Sequence, residues 1–200
     1  MLTADDQDAA WMLEVAKGDR AAFARLFDRH QGRVVRFCQR FVGDAQRAEE
    51  LAQDVFVKLY KNAHRYQKTA RFQTFLFRVA TNTCLNELRR PSLKAEKVEA
   101  PVSEETPGVL ESAPHHETPD QVLEAKDVEA ALQKALSKMT DRERAAFTMC
   151  RFEGMAYRDI AEALEATEAA VKSLIHRASL QVLAHLDALK AGVASAGSAA

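Results

Sequence analysis

The chain has 200 residues, 47% of them hydrophobic, enough to bury the core of one domain or of two small ones. Five prolines and seven glycines, beside abundant Ala, Leu, Glu and Arg, point to an all-α protein. A net charge of −1 excludes a global cationic field, so any nucleic-acid contact has to come from local patches or from a partner that supplies more charge.

Residues 1–7 form a polar lead, and 8–17 read as a short helix carrying Trp11, Met12 and Val15. Gly18 stops it and Asp19 can cap the next helix, 21–31, with Phe23, Leu26, Phe27 and His30. His30 has no second ligand at i±4, so a helix-surface or partly buried side chain is the better reading than a metal ligand. A further apolar stretch, 34–42, ends at Gly43-Asp44, a stop followed by a new helix cap. Residues 45–63 make a long helix whose inner stripe is Leu51, Val55 and Leu59. Glu49, Glu50, Gln53, Asp54 and Lys58 stay outside, with Phe56 off the stripe as a spare exposed aromatic. By residues alone that outer face is either solvated or a partner-docking surface.

The polar stretch 64–70 interrupts the pattern, and 71–90 is helical again. Tyr66, Phe72, Phe75 and Phe77 lie among Arg65, Lys68, Arg71 and Arg78, the ingredients of a single-strand platform on which bases stack while cations hold the backbone. Phe75, Leu76 and Val79 read as core, whereas Thr74, Phe77, Arg78, Thr81 and Asn82 fall on a candidate working face. Pro91 ends the helix. From 92 to 119, acids outnumber bases, prolines recur and large apolar residues are few, so this is a flexible acidic linker and a domain boundary. The pair His115-His116 within it reads as exposed.

Helix periodicity resumes over 120–138 with Val122, Val128, Ala131, Leu132, Ala135 and Leu136. Thr140-Asp141-Arg142-Glu143 matches a capping box for the helix that follows, and Gly154 stops that helix. Residues 154–183 then read as two helices joined by a tight turn. Ile160, Ala161 and Leu164 share a face of the first; Thr167 can cap the second, where Val171, Leu174, Ile175, Ala178 and Val182 repeat at helical spacing. Lys172, Ser173, His176 and Arg177 lie away from that stripe, as in a helix-turn-helix that presents a recognition helix to the major groove. The last helix runs to about Lys190, and 191–200 read as a disordered tail. Cys38, Cys84 and Cys150 are odd in number and far apart, and they read as buried thiols of a reducing compartment. With no apolar run near about 18 residues and an acidic N-terminus, the sequence reads as a cytoplasmic protein without membrane insertion.

In series, these elements resemble the extracytoplasmic-function sigma factors, the small two-domain bacterial initiation factors. AEELAQDVFVKLY (48–60) is similar to the family's core-polymerase-binding helix, FQTFLFRVATNTCLNELRR (72–90) to its −10 element helix, and residues 135–178 to its −35 element domain. The resemblance implies two helical domains, a region 2-like unit over 8–90 and a region 4-like helix-turn-helix unit over 120–190, joined by the linker 91–119. It implies that Glu50, Leu51, Gln53, Asp54, Phe56 and Lys58 dock on core RNA polymerase. Arg65, Tyr66, Lys68, Phe77, Arg78 and Asn82 would hold a flipped base and the single-stranded −10 region. Lys172, Ser173, His176 and Arg177 would read duplex promoter DNA at −35. An anti-sigma factor is a further implied partner; no catalytic residue, metal or cofactor is implied.

Four positions depart from the family pattern: Phe75 stands in place of Trp, Ala156 gives no cap, Glu165 occupies a turn position that is commonly Gly, and Leu174 replaces a frequent Arg. The alternative reading is a helix-turn-helix regulator that binds duplex DNA through 120–190, a reading that leaves the core-binding string and the aromatic-basic stretch without a purpose. A protein-only helical adaptor would not need the basic face at 172–177.

Overall fold

A computed structural model describes residues 4–68, 71–89 and 119–197. Helix α1 (Ala4–Ala16) ends at Gly18, whose φ of 97° is open to glycine and strained for other residues. The Asp19 carboxylate accepts from the amides of Ala21 and Ala22 and starts α2 (Arg20–Val42). The break expected near 32 is absent, and α2 is one helix of 23 residues. Leu26, His30, Val34, Phe37 and Phe41 carry one buried stripe through Gly32. That continuous stripe outweighs the roughly 1 kcal/mol that an interior glycine costs. Asp44 caps α3 (Ala45–Lys61), a short 3-10 turn follows at Ala63–Arg65, and α4 (Phe72–Arg89) closes the first half.

Helix α4 packs against α1, α2 and α3 on one side and against α6 and α7 on the other. Phe37, Leu51, Leu59, Phe72, Leu76 and Phe77 are fully buried between these helices. Each large apolar side chain contributes roughly 1.5–3 kcal/mol on leaving water. His30 is not at the surface: at 3% exposure its Nε2 lies 2.8 Å from Asp8 Oδ2, and Arg29 donates to Asp8 Oδ1 at 2.6 Å. Cys38 and Cys84 are buried and reduced, their sulfurs 3.7 Å apart. Their mutual hydrogen bond, together with burial, pushes the Cys84 thiol well above its ordinary range.

The second half comprises α5 (Pro119–Lys138), α6 (Asp141–Arg151), α7 (Tyr157–Ala163) and α8 (Glu168–Gly197). Thr140 and Glu143 form the anticipated capping box. Leu136, Met139, Phe147 and Ala178 make a local core with Leu132 and Val182, while Val128 is exposed rather than packed. The tail expected from 191 is helical as far as Gly197: its alanine-rich sequence lacks proline and propagates α8. The linker at 91–118, with its histidine pair, lies outside the described residues. Among the described residues no helix is long and apolar enough to cross a membrane.

The two halves share a continuous apolar core, in which Ala145, Ala146, Met149 and Ile160 join the cluster of the first half. Polar contacts also cross the seam. Arg33 Nε donates to Glu153 Oε2 at 3.0 Å, Gln73 Nε2 to the Glu153 carbonyl at 2.8 Å, Arg71 Nη1 to Asp159 Oδ2 at 3.3 Å, and Arg144 Nη1 to the Phe41 carbonyl at 2.8 Å.

Candidate nucleic-acid and polymerase interface

On α3, Glu50, Gln53 and Asp54 are exposed on the outer face. Glu50 pairs with Arg47, which is also held by Glu87. Leu51 and Phe56 are buried at 2% and 3%, which corrects the expectation of an exposed aromatic. The Phe56 ring meets Phe27 edge-on at 4.8 Å and Phe23 at 6.4 Å. It lines the groove between α2 and α3, a cavity of about 570 Å³ that Gln53, Glu49 and Arg33 also border. The exposed large apolar side chains of this helix are Val57, next to Phe56, and Tyr60.

Lys58 turns away from that face, donating to Thr83 Oγ1 on α4 at 3.2 Å. It joins Asn62, Arg65, Arg78, Asn82 and Asn86 around a cavity of about 340 Å³. Arg65, Lys68 and Asn82 are exposed and Arg78 is half-buried. Cations and amides converge here, the donor set suited to a nucleic-acid backbone and to the hydrogen-bonding edge of an unpaired base. Two expected members are absent from that surface. Phe77 is fully buried, 5.0 Å from Phe37 and beneath the Arg33 guanidinium, and offers no ring to a base. Tyr66 is 5% exposed, packed on Phe75 at 5.3 Å and on Phe72. Burial, with Asp5 and Asp8 nearby, pushes its phenol up to about 12. Its ring positions the 64–68 turn from inside. Asn62 and Asn86 were missed in the sequence, although Asn82 and Asn86 stand four apart on α4, the spacing that places two side chains on one face.

In the helix-turn-helix, Ala156 precedes α7 without a side-chain cap, and Glu165 takes the turn with φ of 49°. That left-handed conformation costs a non-glycine residue roughly 1 kcal/mol. Arg142 Nη2 donates to the Leu164 carbonyl at 2.7 Å and so ties α6 to the turn, while Thr167 Oγ1 accepts from Ala170 N at 3.2 Å and starts α8. Lys172, Ser173, His176 and Arg177 are all exposed along one side of α8. Arg177 is held in place: its Nε donates to Glu143 Oε1 at 2.6 Å and its Nη1 to Ser173 Oγ at 3.0 Å. Burial pushes the Glu143 carboxyl up, but hydrogen bonds from Arg177 and Thr140 outweigh it and hold the group below its usual value.

Comparison with known proteins follows the same division. Residues 26–93 match the family model for Sigma-70 region 2, and residues 129–182 that for Sigma-70 region 4. The chain is 32% identical to the RNA polymerase sigma-H factor of Pseudomonas aeruginosa over 89% of its length and 92% of the relative's. It is 27% identical to the ECF RNA polymerase sigma-E factor of Escherichia coli, over 86% of this chain and 90% of the other. Among solved structures its fold is similar to that of CnrH in complex with the cytosolic domain of CnrY, with a TM-score of 0.67 and 21% identity, covering 92% of this chain and 99% of that one. The sigma factor RpoE of Bartonella quintana, in complex with the anti-sigma factor NepR, has a TM-score of 0.62 at 19% identity over 82% and 96% of the two chains. With both regions in order along one all-helical chain, the protein belongs to the ECF sigma factors, initiation factors that bind core RNA polymerase and direct it to promoter DNA.

Proposed function

We propose that this sigma factor divides promoter recognition between the cavity beside α4 and the exposed side of α8, and offers the outer face of α3 to the polymerase. In this reading residues 8–90 act as the region 2 unit and 120–190 as the region 4 unit, with 91–119 linking them. The observation that carries it is the convergence of Lys58, Asn62, Arg65, Arg78, Asn82 and Asn86 on one cavity. Lys68, exposed at the edge of the same turn, adds a cation for the backbone of the melted strand. Lys172, Ser173, His176 and Arg177 read the −35 duplex, with Arg177 pre-oriented by Glu143. Glu50, Gln53 and Asp54 meet the polymerase, over a floor formed by Leu51 and Phe56.

The chain acts without an active site of its own, the polymerase supplying the chemistry, and it works in the cytoplasm where that enzyme is. An anti-sigma partner is supported by the two similar structures, each of a sigma factor or its like held in a complex. The test is transcription from single-promoter templates by core polymerase loaded with the protein. Asn82→Ala is expected to abolish open-complex formation while leaving polymerase binding intact, and Lys172→Ala to weaken duplex binding. Full activity in both variants would refute the assignment.

A further inference from the structure

Among the described residues, none of α1 borders the cavity beside α4, yet α1 packs on α4 and on the 63–65 turn, two of the segments that build it. Asp5 Oδ1 accepts from the Gln73 amide at 3.2 Å. Gln73 is the second residue of α4, a position whose amide an N-cap side chain ordinarily satisfies. Arg71, the residue before the helix, carries only donors and cannot accept that bond. A carboxylate from another helix therefore caps α4, where negative charge also suits the helix dipole. Three residues on, Asp8 anchors α1 itself. It is 4% exposed, and both its oxygens are engaged by α2: Arg29 donates to Oδ1 at 2.6 Å, and His30 Nε2 lies 2.8 Å from Oδ2. The Arg29 guanidinium also covers the Trp11 ring of α1 at 4.3 Å. The His30 ring stands 5.2 Å from Phe72, and Phe72 meets Tyr66 edge-on beneath the turn. That turn carries Arg65 to the cavity, and α4 carries Arg78, Asn82 and Asn86.

We propose that α1 latches the strand-binding site from outside it, with Asp5 and Asp8 as positioning residues. Asp5 fixes the first turn of α4, Asp8 fixes α1 to α2, and the cations and amides of the cavity are thereby held in the relative places that a melted strand requires. The inference rests on the strand-binding reading of that cavity. Both carboxylates stand close to Tyr66, so by charge alone they would disfavour a nearby polyanion. Their contribution is geometric: a site assembled from two segments holds its ligand only as well as the supporting contacts fix those segments.

The test loads core polymerase with the full chain or a variant, on a template from which the parent chain initiates. It reads affinity for core, affinity for a duplex −35 fragment, and opening of the −10 region by permanganate reactivity of unpaired thymines. In Asp5→Ala the ratio of open to closed complex is expected to fall about fivefold, the factor carried by one lost helix cap, with both affinities unchanged. Asp5→Asn is expected to restore opening, because an amide oxygen caps as well as a carboxylate. Asp8→Asn keeps an acceptor for His30 but removes the charge opposite Arg29, and a smaller fall is expected. Charge alone predicts easier opening in all three variants, since each removes a negative charge near the strand. A purely structural role lowers thermal stability and leaves opening intact at a temperature where the chain stays folded. Asn82→Ala is the control for the strand-binding reading. Parental or increased opening in Asp5→Ala, or equal loss in Asp5→Ala and Asp5→Asn, would overturn the latch and, with Asn82→Ala inactive, leave that reading standing. Full opening in Asn82→Ala would overturn the reading and the latch with it.

Discussion

Arg144 is the most consequential buried charge in the second half, and replacing it with Met tests how the halves are held. The side chain is 7% exposed and its guanidinium faces carbonyl oxygens. Nε donates to Leu136 O and Nη1 to Phe41 O, both at 2.8 Å, while Nη2 reaches Ser137 O at 3.3 Å and Met139 O at 3.4 Å. One cation thus serves the last turns of α2 and α5, where helix dipoles favour positive charge. Burial pulls its pKa below the ordinary arginine value, only partly offset by Asp141. The two short charged bonds are worth roughly 1.5–3 kcal/mol each. Against them stands the relief of desolvating the guanidinium, a few kcal/mol. Methionine retains the apolar stem but strands the carbonyls, so a net loss of about 2–3 kcal/mol is expected. For a chain of this length that is a fall in Tm of about 5–10 °C. Thermal and urea unfolding followed by circular dichroism measure it, with Arg144→Lys falling between the two because an ammonium cannot reach carbonyls on both helices. A Met variant as stable as the parent would refute the reasoning, since it would mean the carbonyls are satisfied without the cation.

Other outcomes follow from the same geometry. The Glu143 carboxyl has a lowered pKa in the fold, so its contribution is complete above the unfolded value and is lost as pH falls through the folded one. Stability measured through the acid range should therefore drop less steeply in Glu143→Gln than in the parent, and parallel curves would argue against the Arg177 pairing. Tyr66 has a raised pKa, so its stabilisation is complete below the usual 10 and is lost as pH climbs toward about 12. Ultraviolet titration should show one of the three tyrosines ionising late, and Tyr66→Phe should remove that step. In polymerase bound to a duplex −35 fragment, Lys172→Ala should reduce the slope of log affinity against log salt by about one, a change expected when one phosphate contact is lost.

Local signals were legible in the sequence wherever a short-range rule decides the structure. Asp19, Asp44 and Thr140 cap the helices they were expected to cap, Gly18, Gly43 and Gly154 turn with positive φ, and Glu165 holds the strained turn. The misreadings share a cause. A helical wheel with one buried face assigns Phe56 and Phe77 outward, but α4 is covered from both sides and α3 packs its Phe56 against Phe23 and Phe27. Lys58 was assigned to the outer face because its reach to Thr83 depends on how α3 crosses α4. The strand-side cavity drew on residues from three segments, and the facing of Glu162 and Glu165 on it depends on the packing of the two halves. Neither is encoded in spacing along one helix.

Abortive transcription by core polymerase on a promoter library, with and without this protein, tests the assignment most directly. The account predicts initiation at one promoter class that depends on the protein and is lost on Asn82→Ala or Lys172→Ala. Specific duplex binding by the full chain with no association with core polymerase would contradict it.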